Sequence, residues 1–270
     1  MLDGNTVGFI GGGNMAEALI AGLLDGGALT PESVLVTEKH PERSDYLQQR
    51  YGVRAVPIDE LAARSDIVVI AVKPQVVDEV LEALAGSLNG DDLLISIAAG
   101  VPTSRFERAF PDTPVVRVMP NTPALVGEGM SVISAGSAAR AHHLGYARAI
   151  LATAGKVVEL DEDKLDAVTA VSGTGPAYFF YLVEALIDAA ESVGLDREVA
   201  SRLIVQTAMG AATMLRDSGK DAVALRQAVT SPGGTTAAGI AVLEDRGARD
   251  VFSAMVTAAR DRSVELGRDD

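Results

Sequence analysis

Apolar and polar positions follow different patterns in the two halves of this chain of 270 residues. Up to about residue 160, short runs rich in β-branched residues recur at 6–10, 34–37, 67–72, 93–97, 115–119, 131–134 and 156–159, and they predict strands. Between them, helical periodicity predicts helices at 15–24, 41–51, 75–85, 103–109 and 139–153. Runs such as DIVVIAV lack polar alternation, as expected of strands covered on both faces. Strands alternating with helices imply βαβ units and a mainly parallel sheet.

Beyond residue 160 the strand signal stops, and helices are predicted at 176–193, 198–215, 223–229, 235–244 and 250–266. Pro176 suits a helix first turn, Gly194 marks a stop, and Asp196 with Arg197 and Glu198 marks the next start. The fold class is therefore α/β: a Rossmann-type domain over 1–160, then an all-α domain over 161–270. The helix carrying Tyr178, Phe179, Phe180, Tyr181, Leu182 and Val183 is apolar nearly all round, so it must be covered all round. A short helical domain has little capacity to do this alone. A second subunit is expected to complete the core, with packing against the first domain as the alternative.

Composition narrows the partners. The net charge of −14 and pI near 4.6 disfavour nucleic acid and anionic membrane surfaces. Cysteine is absent, which excludes disulfides, thiolate nucleophiles and Cys-based metal sites, and fits a reducing cytoplasm. No basic-then-apolar leader opens the chain and no run reaches the length of a membrane span, so a cytoplasmic protein is expected, with no metal site.

The segment VGFIGGGNMAEALIAGLL runs from strand through turn to helix. Gly11, Gly13 and Ala16 occupy the small-residue positions of a dinucleotide-binding turn: one for the tight turn, one for close approach of backbone to pyrophosphate, one for helix–strand packing. Gly12, Asn14 and Met15 complete the turn and the helix start, whose partial positive charge suits an anion. At the end of the second strand, Glu38 stands where an acid can take a ribose 2′-OH, favouring NADH. Lys39 and Arg43 can instead meet a 2′-phosphate or be merely solvated, so NADPH remains open. Val72, Lys73 and Pro74 end another strand on the same edge; Lys73 faces either a cofactor or solvent. Ala98 and Ala99 supply the small side chains needed where a nicotinamide lies against backbone.

Two polar turns interrupt the helical half. One is Ser172-Gly173-Thr174-Gly175-Pro176; the other is Thr230-Ser231-Pro232-Gly233-Gly234-Thr235-Thr236, whose free N–H groups can hold a carboxylate and whose hydroxyls can reach a ring nitrogen. His40, His142 and His143 lack surrounding motifs and read as surface, and Asp161-Glu162-Asp163 reads as a helix-start cluster.

Taken together, FIGGGNMAEAL, AVKPQ, MPNTPALVGEGM, DAVTAVSGTGPAYFF and AVTSPGGTTAAGIAVLE resemble the pyrroline-5-carboxylate reductase family, in the family's order. The resemblance implies reduction of 1-pyrroline-5-carboxylate to L-proline with NADPH or NADH, at the interface of a homodimer formed through the C-terminal domain, and often a further ring of dimers. It also implies that Glu162, Gly234, Thr235 and Thr236 bind substrate and that Thr230 and Ser231 lie near the cofactor. Thr236 is the candidate catalytic hydroxyl, hydrogen-bonding the ring nitrogen. Many relatives have Ser or Asn, often before Arg, where this chain has Glu38-Lys39, which weakens an expectation of NADPH preference. Three rivals stand beside this reading, one of them an imine or ketimine reductase that acts on a different ring. A 3-hydroxyacid dehydrogenase would need a helix lysine, yet none falls between Lys164 and Lys220. A non-catalytic dinucleotide-binding sensor would not need the late Ser-Pro-Gly-Gly turn.

Overall fold

A computed structural model describes residues 2 and 4–267. Among these, packing separates two compact units: the residues up to Thr174 together with those from Ala259 on, and Gly175–Ala258.

The first unit contains β1 (Val7–Ile10), α1 (Asn14–Asp25), β2 (Val34–Thr37), α2 (Pro41–Tyr51), β3 (Arg54–Ala55), α3 (Ile58–Arg64), β4 (Ile67–Ile70), α4 (Val77–Ala83), β5 (Leu93–Ser96), α5 (Thr103–Ala109), β6 (Val115–Met119), β7 (Gly129–Ala135), α6 (Ala141–Leu151), β8 (Gly155–Glu159) and the short α7 (Leu165–Val168). The strands form one sheet in the order β3-β2-β1-β4-β5-β6-β7-β8. Every pairing is parallel except β6 with β7. Strand order reverses between β1 and β4, the place where an open parallel sheet leaves a crevice at its carboxyl edge.

Both faces are packed, for the reason the unbroken apolar runs predict. In β4, Ile67 and Val69 join one core with Phe9, Leu19, Ile20 and Leu47, while Val68 and Ile70 join the opposite core with Leu61, Val80, Leu84 and Phe106. Successive side chains of a strand point to opposite faces, so an apolar residue at every position feeds both layers. Each such burial contributes roughly 1.5–3 kcal/mol before entropic costs.

The expected strands and helices are present with small changes at their ends. β4 stops at Ile70, freeing Ala71 and Val72 to turn into the crevice, and a tight turn at Pro74–Val76 precedes α4. β3 and α3 were not expected. β3 is only two residues long, and α3 buries just Leu61 and Ala62 on one short face, so neither writes a periodic pattern.

The compact unit that holds the sheet extends to Thr174. Leu165 and Ala170 are fully buried in the first unit. The chain's return is fixed there too: the Ser263 hydroxyl donates to Asp166 at 2.7 Å, and Gly267 lies so close to Gly100 that an added Cβ would come within 2.8 Å of the Gly100 carbonyl.

The second unit is helical: α8 (Gly175–Ser192), α9 (Arg197–Asp217), α10 (Ala222–Ala228), α11 (Thr235–Asp245) and the first part of α12 (Ala248–Leu266). Asp196 caps α9 by accepting from the Glu198 and Val199 N–H groups, and Asp221 caps α10 through Ala224. Phe179, Phe180 and Tyr181 on α8 are 67%, 70% and 73% exposed, and Leu203, Val205 and Met209 on α9 are exposed as well. Apolar surface of this extent marks an interaction face. No described helix is long and apolar enough to cross a membrane.

Candidate active site

The cofactor side begins at the turn from β1 into α1. Gly11 has φ +96°, and a Cβ there would stand 2.6 Å from the Ala71 carbonyl, so conformation and space both require glycine. Gly13 is the N-cap of α1 and no side chain caps it, which leaves the N–H groups of the first turn, including Asn14 and Met15, available to an anion. Gly11 and Gly13 line a cleft of about 560 Å³, with Ile10, Thr37, Glu38, Lys39, Val72 and Lys73 among the other lining residues. That volume falls in the ordinary range for ligand sites. Pro74 opens the turn that follows Lys73. Ala98 is buried after β5 and Ala99 is exposed beside it; neither lines this cleft. The residues present therefore fit a dinucleotide: a side-chain-free turn, an uncapped helix start and a cleft at the reversal of strand order.

Glu38 is held against this turn. Its Oε2 accepts from the Gly12 N–H at 2.7 Å and its Oε1 from the His40 N–H at 2.9 Å. Arg43 Nε donates to the Gly12 carbonyl at 2.5 Å, and its guanidinium also pairs with Glu17. Glu17 accepts in addition from the Tyr46 and Tyr51 hydroxyls at 3.0 and 2.9 Å. Burial pushes the Glu17 carboxyl up, but Arg43 and the two tyrosines outweigh it and hold the group below its ordinary value. Burial and Glu17 together push the Tyr51 phenol up to about 12. Lys39 pairs with Glu79 at 2.5 Å on the exposed rim.

A second cluster joins the turn after β8 to the start of α5 and to β6. Glu162 Oε1 accepts from the Thr103 N–H at 2.8 Å and from Arg117 at 3.0 Å, and Oε2 accepts from the Thr103 hydroxyl at 2.6 Å. Arg117 is only 7% exposed, so Glu162 is its counter-charge in a largely dry setting. Burial raises the Glu162 pKa, but the Thr103 and Arg117 contacts overcome this and leave it lowered. The carboxylate thus fixes the start of α5 and, through it, the loop from Ala98 to Thr103.

Sequence reasoning gave no role to Thr103, Arg117 or Asn121. Asn121 donates to the Ser172 carbonyl and hydroxyl, both at 3.3 Å, and accepts from the Met130 N–H at 2.8 Å, which ties the MPNTP and SGTGP motifs together. The SGTGP stretch, expected as a turn, starts in a widened helical turn over Thr169–Gly173, bends at Thr174 and ends in the first residues of α8. The Thr174 N–H donates five residues back to Thr169 O at 2.8 Å, and its hydroxyl donates to the same oxygen at 2.9 Å. Such π-turns recur at functional sites. The sequence offered one local clue to these links, a charged Arg117 in the middle of an otherwise apolar strand.

In the second unit, Gly233 has φ +70° and turns the chain into Gly234, the N-cap of α11. No side chain caps this helix, so the N–H groups of Thr235 and Thr236 begin it uncapped, and both threonines are exposed. Among the described residues the Thr236 hydroxyl has no hydrogen-bond partner. The Thr230 hydroxyl donates to Arg226 O at 2.6 Å, while Ser231 is exposed beside it.

Comparison with known proteins matches both halves. Residues 162–266 match the family model for pyrroline-5-carboxylate reductase dimerisation, and residues 6–100 match the model for NADP oxidoreductase, coenzyme F420-dependent. The pyrroline-5-carboxylate reductase of Synechocystis sp. is 46% identical over 97% of this chain and 98% of its own length. That of Arabidopsis thaliana is 40% identical over 97% and 95%. The solved structure of a pyrroline-5-carboxylate reductase from Coxiella burnetii superposes with a TM-score of 0.92 at 38% identity, covering 98% of this chain and 99% of that one. A Plasmodium falciparum pyrroline carboxylate reductase solved with NADP bound gives 0.88 at 32%, covering 98% and 99%.

Proposed function

This chain belongs to the pyrroline-5-carboxylate reductase family, and we infer from that membership that it reduces 1-pyrroline-5-carboxylate to L-proline, the closing reaction of proline biosynthesis, with NADPH or NADH. The observation that carries the reading is a family match spanning both the dinucleotide cleft and the helical unit, at 46% identity over 97% of the chain. It is an oxidoreductase acting on a C=N bond, and its helical unit is a dimerisation domain.

The division of labour among residues follows from the chemistry. Bound nicotinamide supplies the hydride. Gly11 and Gly12 shape the turn, their N–H groups donating to Thr37 and Glu38. Gly13, Asn14 and Met15 hold the pyrophosphate on backbone N–H groups and the partial positive charge of α1, which supplies local attraction that a protein of net charge −14 otherwise lacks. Val72, Lys73 and Pro74 form the facing wall, and Ala98 and Ala99 leave room beside the ring. Thr230 and Ser231 sit near the cofactor.

The uncapped start of α11, through Gly234, Thr235 and Thr236, takes the substrate carboxylate as a helix start takes any anion. The Thr236 hydroxyl orients the ring nitrogen, whose protonated imine makes the neighbouring carbon electrophilic. Correct placement of the two reacting carbons, roughly 3–3.5 Å apart, is the main requirement. Glu162 lies near the substrate and acts through the loop that it anchors. The functional unit is a homodimer joined through the helical domain, extended into a ring of dimers.

Incubation of the purified protein with chemically prepared pyrroline-5-carboxylate and either reduced cofactor is expected to oxidise the cofactor and yield proline in equal amount. Cofactor binding without oxidation would leave a sensor rather than an enzyme.

A further inference from the structure

The carboxyl end of β2 is where a Rossmann-type domain meets the adenosine ribose, and here the structure shows what each charged side chain beside it is bound to. Glu38 is immobilised by two backbone N–H groups, those of Gly12 and His40, and lines the cleft. A carboxylate has about four lone-pair sites, so two remain for donors arriving from the cleft. Of the cations nearby, Lys73 lines the cleft from the end of β4, and the two next to Glu38, Arg43 and Lys39, are not equivalent to free ones. Arg43 is committed to the Gly12 carbonyl and to Glu17, in a half-buried cluster with Tyr46 and Tyr51, and is not among the cleft's lining residues. Lys39 is paired with Glu79, which lines the same cleft.

We propose that Glu38 makes this enzyme select NADH over NADPH: its carboxylate accepts hydrogen bonds from the ribose diol and repels a 2′-phosphate. The proposal rests on the reading of this cleft as the dinucleotide site. A diol brings two donors to the two open lone-pair sites. A 2′-phosphate brings about −1.5 to −2 of charge and acceptor oxygens instead. To hold it, Arg43 would have to abandon two half-buried partners. Lys39 can swing across cheaply, because an exposed ion pair contributes little. That swing would still set one cation against two carboxylates, Glu38 and the abandoned Glu79. NADPH binding is therefore weakened rather than abolished.

The test is calorimetric titration of the full-length protein with NADH and NADPH separately, repeated with ADP and 2′,5′-ADP as probes of the adenosine half alone. NADH is expected to bind about tenfold to a hundredfold more tightly, with the same order for ADP over 2′,5′-ADP. Glu38→Gln removes the charge at nearly constant shape and is expected to bring NADPH within about threefold of NADH; Glu38→Ser is expected to go further. Wild-type protein binding NADPH as tightly as NADH overturns the proposal, as does a ratio unmoved by either substitution. If neither dinucleotide binds, the cleft reading itself has failed and the proposal falls with it.

Discussion

Thr236 stands in the first turn of α11, exposed and without a partner among the described residues, so its hydroxyl is open to a ligand. Thr236→Ala is expected to lower kcat by about tenfold to a hundredfold, the worth of one hydrogen bond to a group whose charge changes during reaction. Cofactor affinity by titration should be unchanged, and unchanged turnover would remove the hydroxyl from the mechanism. Glu162 is the opposite kind of residue, with both oxygens taken. Its carboxyl is lowered in the folded state, so the stabilisation is complete above the ordinary carboxylate value of about 4.3 and fades as pH falls through the lowered native value. Glu162→Gln leaves buried Arg117 without its counter-charge and should cost about 2 kcal/mol at pH 7, between the values for exposed and buried pairs. Urea unfolding at pH 7 and pH 4 checks this: the wild-type advantage should shrink at the lower pH, and an advantage that grows there would contradict the assignment.

The reach of the sequence differs from element to element. The glycine turn, both uncapped helix starts and the unbroken apolar strands were legible because each is a local pattern whose meaning depends on neighbouring residues alone. The two-residue β3 and the short α3 were not, since neither repeats a period. Equally hidden were the partners of the charged residues. Whether Arg43 meets a phosphate or Glu17 depends on how α2 packs on α1, and Glu162 finds Arg117 only through the sheet. The α1–α2 clamp yields a prediction of its own. Glu17→Ala should remove a shared acceptor from Arg43, Tyr46 and Tyr51 at a cost of about 1–3 kcal/mol. It should also free Arg43 and narrow the gap between NADH and NADPH affinity in titrations. A fall in stability with an unmoved affinity ratio would mean that Arg43 plays no part in excluding a 2′-phosphate.

At the scale of the whole molecule, two forces oppose each other. The helical unit exposes Phe179, Phe180 and Tyr181 on α8 together with Leu203, Val205 and Met209 on α9, which in water drives association. Each copy also carries a net charge of −14, so two copies repel at long range. The apolar term is short-ranged and little weakened by added salt, whereas the repulsion is screened beyond about 10 Å at 0.1 M ionic strength. Association should therefore tighten as salt rises, the reverse of an interface held by ion pairs. Sedimentation velocity across a dilution series should show the dimer dissociating more readily at about 0.01 M salt than at 0.1 M or above. Replacing Phe179 and Phe180 together by Asp removes apolar area and adds charge where the copies must meet. The double variant should move toward the 28.0 kDa of a single chain and lose reductase activity, while titration still shows dinucleotide binding in the first unit. An undiminished dimer in that variant would mean that this face of α8 is not where the subunits join.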